Sequence, residues 1–376
     1  MLHFRSDFTL SFKELLKKET VAIISAAAAF ISCMFVPVTD YVKYIDTDLI
    51  GILFCLMAVV GGLSENNVFK KLSVSVIRTA KNSRRLAASL VFTVFFISML
   101  ITNDVALIAF VPFTVMLYEK IGRSPVYVIV LETIAANMGG AFTPFGNPQN
   151  LLLFSVSGMK ASEFFSITLP IALISFAMLL ISVFFIKKED ISVSSGEEDI
   201  KLQRPRYIVL YAILFILCIL SVFDVMNIIY VLASVCVVVA ILQPDVFAKV
   251  DYGLLVTFSC FFIFVGNLKN IPEVSKFIMT ILNGHEYECS LALSQVISNV
   301  PAAVMLSGFT DNYKALILGA DIGGLGTLIA SLASLITYKC YVNSKDAQPK
   351  KFLGVFTLMN VIFLAVLGIF AKLFIL

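Results

Sequence analysis

Charge is scarce in this chain. Only 14% of its residues are Asp, Glu, Lys or Arg, against 59% hydrophobic ones, and mean hydropathy is +0.96. Water-soluble domains carry about 25% charged residues, so a soluble enzyme or binding module is excluded. Histidine is scarcer still: His3 and His285 are the only two, and neither has a metal-binding companion. The seven cysteines (Cys33, Cys55, Cys218, Cys236, Cys260, Cys289, Cys340) form no CxxC pair. These two features argue against a zinc or redox centre and mark the thiols as packing residues. HExxH and Ser/Lys or Asp/Asp dyads are missing as well, which argues against a membrane-embedded enzyme. No cofactor and no nucleic-acid partner is expected.

What the chain does have is apolar runs of bilayer-spanning length, about 17 to 25 residues each. They fall near 21–37, 49–63, 125–158, 163–186, 207–222, 228–242, 253–267, 315–338 and 352–375. The first follows a basic, amphipathic leader, Phe4 to Lys18, and is expected to stay as a span rather than be cleaved as a signal peptide. Two further runs break the pattern. Residues 86–118 are too long for one crossing and too short for two plus a loop, and Thr102-Asn103-Asp104 sits at their centre. Residues 290–308 carry Ser298-Asn299-Val300-Pro301 at theirs. Both read as re-entrant hairpins, because non-helical backbone at that depth survives only under protein cover or beside a water-filled cavity.

Charge asymmetry supports that choice. With both segments re-entrant, 22 of the 28 Lys and Arg fall in loops on one face. The positive-inside rule makes that face cytoplasmic, along with the N-terminus and the polar 187–206 linker. The linker divides the chain into halves, 1–186 and 207–376.

The halves resemble each other. ITNDVALIAFVPFT (101–114) aligns with ISNVPAAVMLSGFT (297–310), and AANMGGAFTPFGN (135–147) aligns with GADIGGLGTLIAS (319–331). The offsets are 196 and 184, in the same order in both halves. On the charge-based topology the second copy is inverted. Inverted repeats with broken helices meeting near mid-membrane are an architecture of secondary transporters. The expected fold is therefore an all-α polytopic membrane protein of two inverted repeats. Each repeat carries a hairpin (86–118, 290–308) and a helix break (143–150, 319–327).

Within TPFGNPQN (143–150), Pro144 and Pro148 interrupt the helix and Gly146 permits unusual backbone angles. Unwound carbonyls there suit a cation, and a fresh helix start suits an anion. The candidate substrate and ion site gathers Thr102, Asn103, Asp104, Thr143, Gly146, Asn147 and Asn150 from the first half. The second half adds Ser298, Asn299, Asp321, Gly324 and Thr327. Asp104, Asp321 and the embedded Glu132 are candidates for carrying a coupling proton or sodium ion. Two readings of Glu132 stand level: such a coupling role, or a near-interface acid paired with Arg123 or a backbone donor.

At these residues the chain resembles the ion transporter superfamily, and within it the arsenite permease, NhaD-type antiporter and citrate-transporter group. GGAFTPFGNPQN matches that group's GG…T…GNPxN signature, and GADIGGLGTLIASLASL its second-half GANxG…T..GSLAT pattern, over roughly residues 45–375. The hairpin tips differ from the Ser-Asn-Thr of related sodium–dicarboxylate symporters, reading Thr-Asn-Asp and Ser-Asn-Val. Asp321 stands where arsenite permeases usually carry Asn, and Ala330 where Gly is usual. The resemblance implies an ion-coupled permease for a small inorganic or organic anion, an elevator-like movement and a homodimer in the cytoplasmic membrane. A sodium/proton antiporter is the alternative.

Overall fold

Long apolar stretches in a chain with few charges satisfy their backbone internally as helices, and the computed structural model is helical. It describes residues 20–36, 41–77, 82–190 and 201–376. The leader and the middle of the linker lie outside the described residues. Helix α1 is Thr20–Phe35, followed by α2 Thr47–Glu65, α3 Val68–Ile77, α4 Ser83–Ser98 and α5 Asn103–Lys120. Next come α6 Val126–Gly140, α7 Pro148–Ser157, α8 Ala161–Phe184, α9 Pro205–Val222, α10 Ile228–Leu242 and α11 Tyr252–Lys269. The chain ends with α12 Pro272–Leu282, α13 Glu286–Ile297, α14 Asn299–Ser307, α15 Tyr313–Gly323, α16 Leu332–Val342 and α17 Pro349–Phe370. Among the described residues, five helices are long and apolar enough to cross a membrane: α2, α8, α9, α11, and α17 with its π-turn to Ile375. Phe30, Phe35, Leu173, Phe184 and Ile241 point outward from the bundle, as lipid-facing side chains do.

The sequence expectations meet the structure at the breaks. The run 125–158 divides into α6 and α7, and 315–338 divides into α15 and α16. The second break lies further along than 319–327: the chain stays helical through Gly323 and resumes at Leu332. No proline interrupts it earlier, so Asp321 rides on the last helical turn.

Residues 86–118 fold as two helices whose outer ends meet. The amide of Ser83, at the start of α4, donates to the Glu189 carbonyl at 3.0 Å. Arg123, just beyond the end of α5, pairs with the Glu189 carboxylate. The second pair closes in the same way: Thr310 and Asn312, beyond α14, donate to the two carboxylate oxygens of Glu286, the first residue of α13, at 3.4 and 3.3 Å. Both arms of the first pair pack on α6 and both arms of the second on α15. The loops also sort into two sets. Asn66 bonds Gln243 and Gln203, Glu65 pairs with Lys249, and Lys351 reaches Ser124, all within the basic set. Asn270 bonds Tyr44, Ser155 bonds Asp46, and Lys372 pairs with Glu288, all within the other set.

Candidate functional site

Each hairpin tip is stitched to the break of its own half. In the first half the Asn103 amide donates to the Gly146 carbonyl at 3.1 Å. Asn103 Oδ1 accepts from the Asp104 amide at 3.0 Å, which fixes the first turn of α5. Thr143 Oγ1 donates to the Met99 carbonyl at 2.8 Å. Beyond the irregular stretch, Asn147 caps α7 by accepting from the Asn150 amide at 2.8 Å. Pro148 occupies the first helical position, where its missing N–H has no consequence. Asn150 Nδ2 reaches back to the Ala141 carbonyl at 3.1 Å and ties the two sides of the break together.

The second half repeats this pattern with different side chains. The Asn299 amide donates to the Ala330 carbonyl at 2.9 Å, and Asn299 Oδ1 accepts from the Val300 amide at 3.0 Å. Thr327 Oγ1 donates to the Gln295 carbonyl at 2.9 Å. Asn103 and Asn299, like Met99 and Gln295, are 196 residues apart; Gly146 and Ala330, like Thr143 and Thr327, are 184 apart. The offsets read from the motifs therefore recur bond by bond. Ser298 turns the corner with φ +78, and its hydroxyl contacts the Ala330 carbonyl at 3.5 Å. Gly324 lies against the Asn299 amide, where a Cβ would come within 2.8 Å of Nδ2.

The two halves then cross. Asn147 Nδ2 donates to Asp321 Oδ1 at 3.2 Å, joined by Gln149 Nε2 at 3.4 Å. Reciprocally, Ser331 Oγ donates to Asn137 Oδ1 at 3.0 Å. Asn147 and Ser331 are 184 residues apart, and so are Asn137 and Asp321. Helix α5 packs on α16 and α14 on α7, so each hairpin leans on the resumed helix of the opposite half. The N-termini of α5, α7, α14 and α16 are thereby joined in one bonded network near the centre of the bundle. Four positive dipole ends converge there. Two polar atoms of this network, Asn137 Nδ2 and Asn150 Oδ1, are buried without a partner among the described residues.

Beside the network lies a cavity of about 350 Å³. Thr102, Asp104 and Asn147 line it, together with Glu65, Lys249 and Asp251. Glu65 and Lys249 form an ion pair at 2.9 Å, while Asp251 accepts from the Leu254 amide at 2.9 Å and caps α11.

Of the sequence-predicted residues, Thr102, Asn103, Asp104, Gly146, Asn147, Asn150, Ser298, Asn299, Asp321 and Gly324 come together here. Thr143 and Thr327 use their hydroxyls to hold tip to break, and Thr327 is exposed. Glu132 lies apart: its partner is Thr114, whose Oγ1 donates to Oε1 at 2.6 Å. Arg123 is not its counter-ion, being engaged by Glu189. The sequence reading left Asn137, Ser331 and Gln295 out of the site, and Lys249 with Asp251 as well. The 184-residue offset carries the signal for the first two, since it sets Asn137 against Asp321 and Ser331 against Asn147. Asn137 is the hub, with Oδ1 accepting from both Asn103 Nδ2 (3.0 Å) and Ser331. Asn137→Ala leaves both donors buried without an acceptor, at about 1–3 kcal/mol each. The expected result is a lowered melting temperature in detergent, with Ser331→Ala showing a smaller drop.

The chain has well-defined relatives. It is 34% identical over 325 residues to an uncharacterized transporter of Methanocaldococcus jannaschii, covering 86% of this chain and 88% of that one. To the inner membrane protein YbiR of Escherichia coli K12 it is 30% identical over 300 residues, covering 78% and 80%. An uncharacterized transporter of Mycobacterium tuberculosis H37Rv is 22% identical over 376 residues, covering 89% and 88%. The family profile described as "Citrate transporter" matches residues 9–312. This polytopic helical membrane protein belongs to the citrate transporter family.

Proposed function

We propose that this protein is an ion-coupled secondary transporter that carries a small inorganic or organic anion together with a proton or sodium ion. Citrate and related carboxylates are the first candidates, on the strength of the family's description. The observation that carries the reading is the reciprocal crossing, Asn147 to Asp321 and Ser331 to Asn137. It supports two inverted repeats, each with a re-entrant hairpin, sharing one site at mid-depth. The converging helix N-termini supply the anion's field. Asp321 and Asp104 supply negative charge for the cation, since the crossing itself holds no Lys or Arg. In this reading the hairpins and broken helices, bound to one another, move as one body against α2, α9, α10 and α11, an elevator-type alternation. The protein sits in the cytoplasmic membrane with its N-terminus inside and pairs with a second copy.

A sodium/proton antiporter is the second reading. It is favoured by the cavity wall, where Glu65, Asp104 and Asp251 face a single lysine, Lys249. Proteoliposomes separate the two. Uptake of labelled citrate, other carboxylates and oxyanions under an imposed proton or sodium gradient supports the first. Sodium collapsing a pH gradient with no anion present supports the second.

Asp104→Asn tests the cation's place. Each net positive charge the cycle moves inward across 100 mV supplies about 2.3 kcal/mol, an accumulation of about 50-fold. The variant is expected to lose that accumulation while inserting normally. Unchanged concentrative uptake would remove Asp104 from the mechanism.

A further inference from the structure

One buried acid lies outside the crossing. Glu132 is the seventh residue of α6, about 9 Å along the axis from its start, and is fully buried. Thr114 Oγ1 donates to its Oε1, while Oε2 has no partner among the described residues. Tyr118 stands four residues after Thr114 on α5, on the same face. It too is buried with its hydroxyl unpartnered, and it lies within electrostatic reach of Glu132.

The charged groups on surrounding elements sit at helix ends. Arg84 and Arg85 open α4, Lys120 closes α5, Arg123 precedes α6, Lys339 is in the last turn of α16, and Lys350 and Lys351 open α17. All are at least partly exposed. Helix α8 runs antiparallel, its Ser182 carbonyl accepting from Tyr127 at 3.1 Å, so Glu163 lies at the far end. Asp321, on α15, is at the crossing.

An ionised carboxylate held by one hydroxyl in such a place costs several kcal/mol. The neutral acid removes that charge and leaves Thr114 donating to a carbonyl oxygen, Oε1. We propose that Glu132 carries a dissociable proton, held in this conformation on Oε2 while Thr114 donates to Oε1. On release the O–H bond at Oε2 breaks and the proton passes to water admitted as the hairpins and broken helices move together. A proton there is coupled in addition to the cation that Asp104 and Asp321 take, and is held one helical turn and more away from the anion's network. That coupling role rests on the transporter reading above; the protonation does not.

Infrared difference spectroscopy of the reconstituted protein tests the protonation without a substrate. The wild type should show a buried carboxylic-acid C=O band at neutral pH that moves in D2O, vanishes in Glu132→Gln and shifts in Thr114→Val, which removes the hydroxyl that donates to Oε1. A band indifferent to both substitutions, or no such band, overturns the proposal. If Glu132→Gln fails to insert, the Thr114→Val shift decides alone. For coupling, vesicles loaded with a pH-sensitive dye are challenged with citrate. Citrate-linked proton movement should disappear in Glu132→Gln while citrate exchange persists, and unaltered proton movement overturns the coupling role. A wild type that moves no citrate refutes the citrate assignment alone, and the infrared band still judges Glu132.

Discussion

Asp321→Asn is expected to abolish gradient-driven uptake and to leave the protein folded. Asp321 is buried on the last turn of α15, where the helix dipole is negative and a carboxylate is disfavoured. What holds it there comes from the other half: Asn147 Nδ2 at 3.2 Å and Gln149 Nε2 at 3.4 Å, at the start of α7. An asparagine can turn its carbonyl oxygen to the same donors, so the bond across the halves survives. The matching position of the first half already holds an amide, Asn137, in the same kind of crossing, which shows that the site accommodates one. The substitution therefore removes one negative charge and little else. If that charge holds the coupled cation, the accumulation ratio falls by that cation's share of the driving force, about 50-fold for each net positive charge the cycle moves across 100 mV. Exchange of labelled substrate at equal concentrations should continue. Uphill uptake by Asp321→Asn at the wild-type level would show that the cation binds elsewhere.

The contrast between Asp321 and Asn137 also marks how far the sequence alone could lead. Apolar length between polar breaks located the runs, because the thickness of the lipid sets it. The helix break at Pro148 was legible because proline's missing donor has a local effect. The second break was placed several residues early, since glycines permit unwinding without dictating where it starts. The offsets of 196 and 184 were readable, and they hold through the hydrogen bonds. The acceptors for Thr143 and Thr327 were not readable, because they are backbone carbonyls of Met99 and Gln295, and a carbonyl leaves no mark in residue identity. Arg123 was one of the partners weighed for Glu132 for a related reason: Arg123 is near in sequence, whereas Thr114 comes from a different helix. A guanidinium is cheaper at the rim, where it meets Glu189, than carried inward to Glu132.

The steepest loss of stability is expected from Gly139→Ala. A Cβ at Gly139 would lie 2.1 Å from the Phe95 carbonyl oxygen and 2.9 Å from its carbon, so the obstacle is the backbone of α4 rather than a side chain that could turn aside. The neighbouring positions are equally tight: at Gly140 a Cβ would meet the Gly146 oxygen at 2.7 Å, and at Gly146 it would meet the Gly140 oxygen at 2.4 Å. In the second half α13 lies on Gly319 and Gly323 in the same manner, with Tyr287 O at 2.7 Å and Ser294 Cβ at 2.8 Å. Each hairpin is thus seated on its broken helix through small residues, the means by which membrane helices approach closely without a hydrophobic drive. Adding one methyl group must separate α4 from α6, and the Asn103 and Thr143 bonds at the tip move with them. Overpacking costs about 1–3 kcal/mol where side chains can adjust, and here they cannot. The expected outcome is a large fall in melting temperature, or loss of the monodisperse peak, in fluorescence-detected size-exclusion chromatography. Gly354→Ala, on α17 with no atom within 4 Å of the added carbon, serves as the control and should melt at or slightly above the wild-type temperature. If Gly139→Ala melts with the control, α4 does not rest on α6 at the distance described, and the tip geometry that positions Asn103 and Asp104 loses its support.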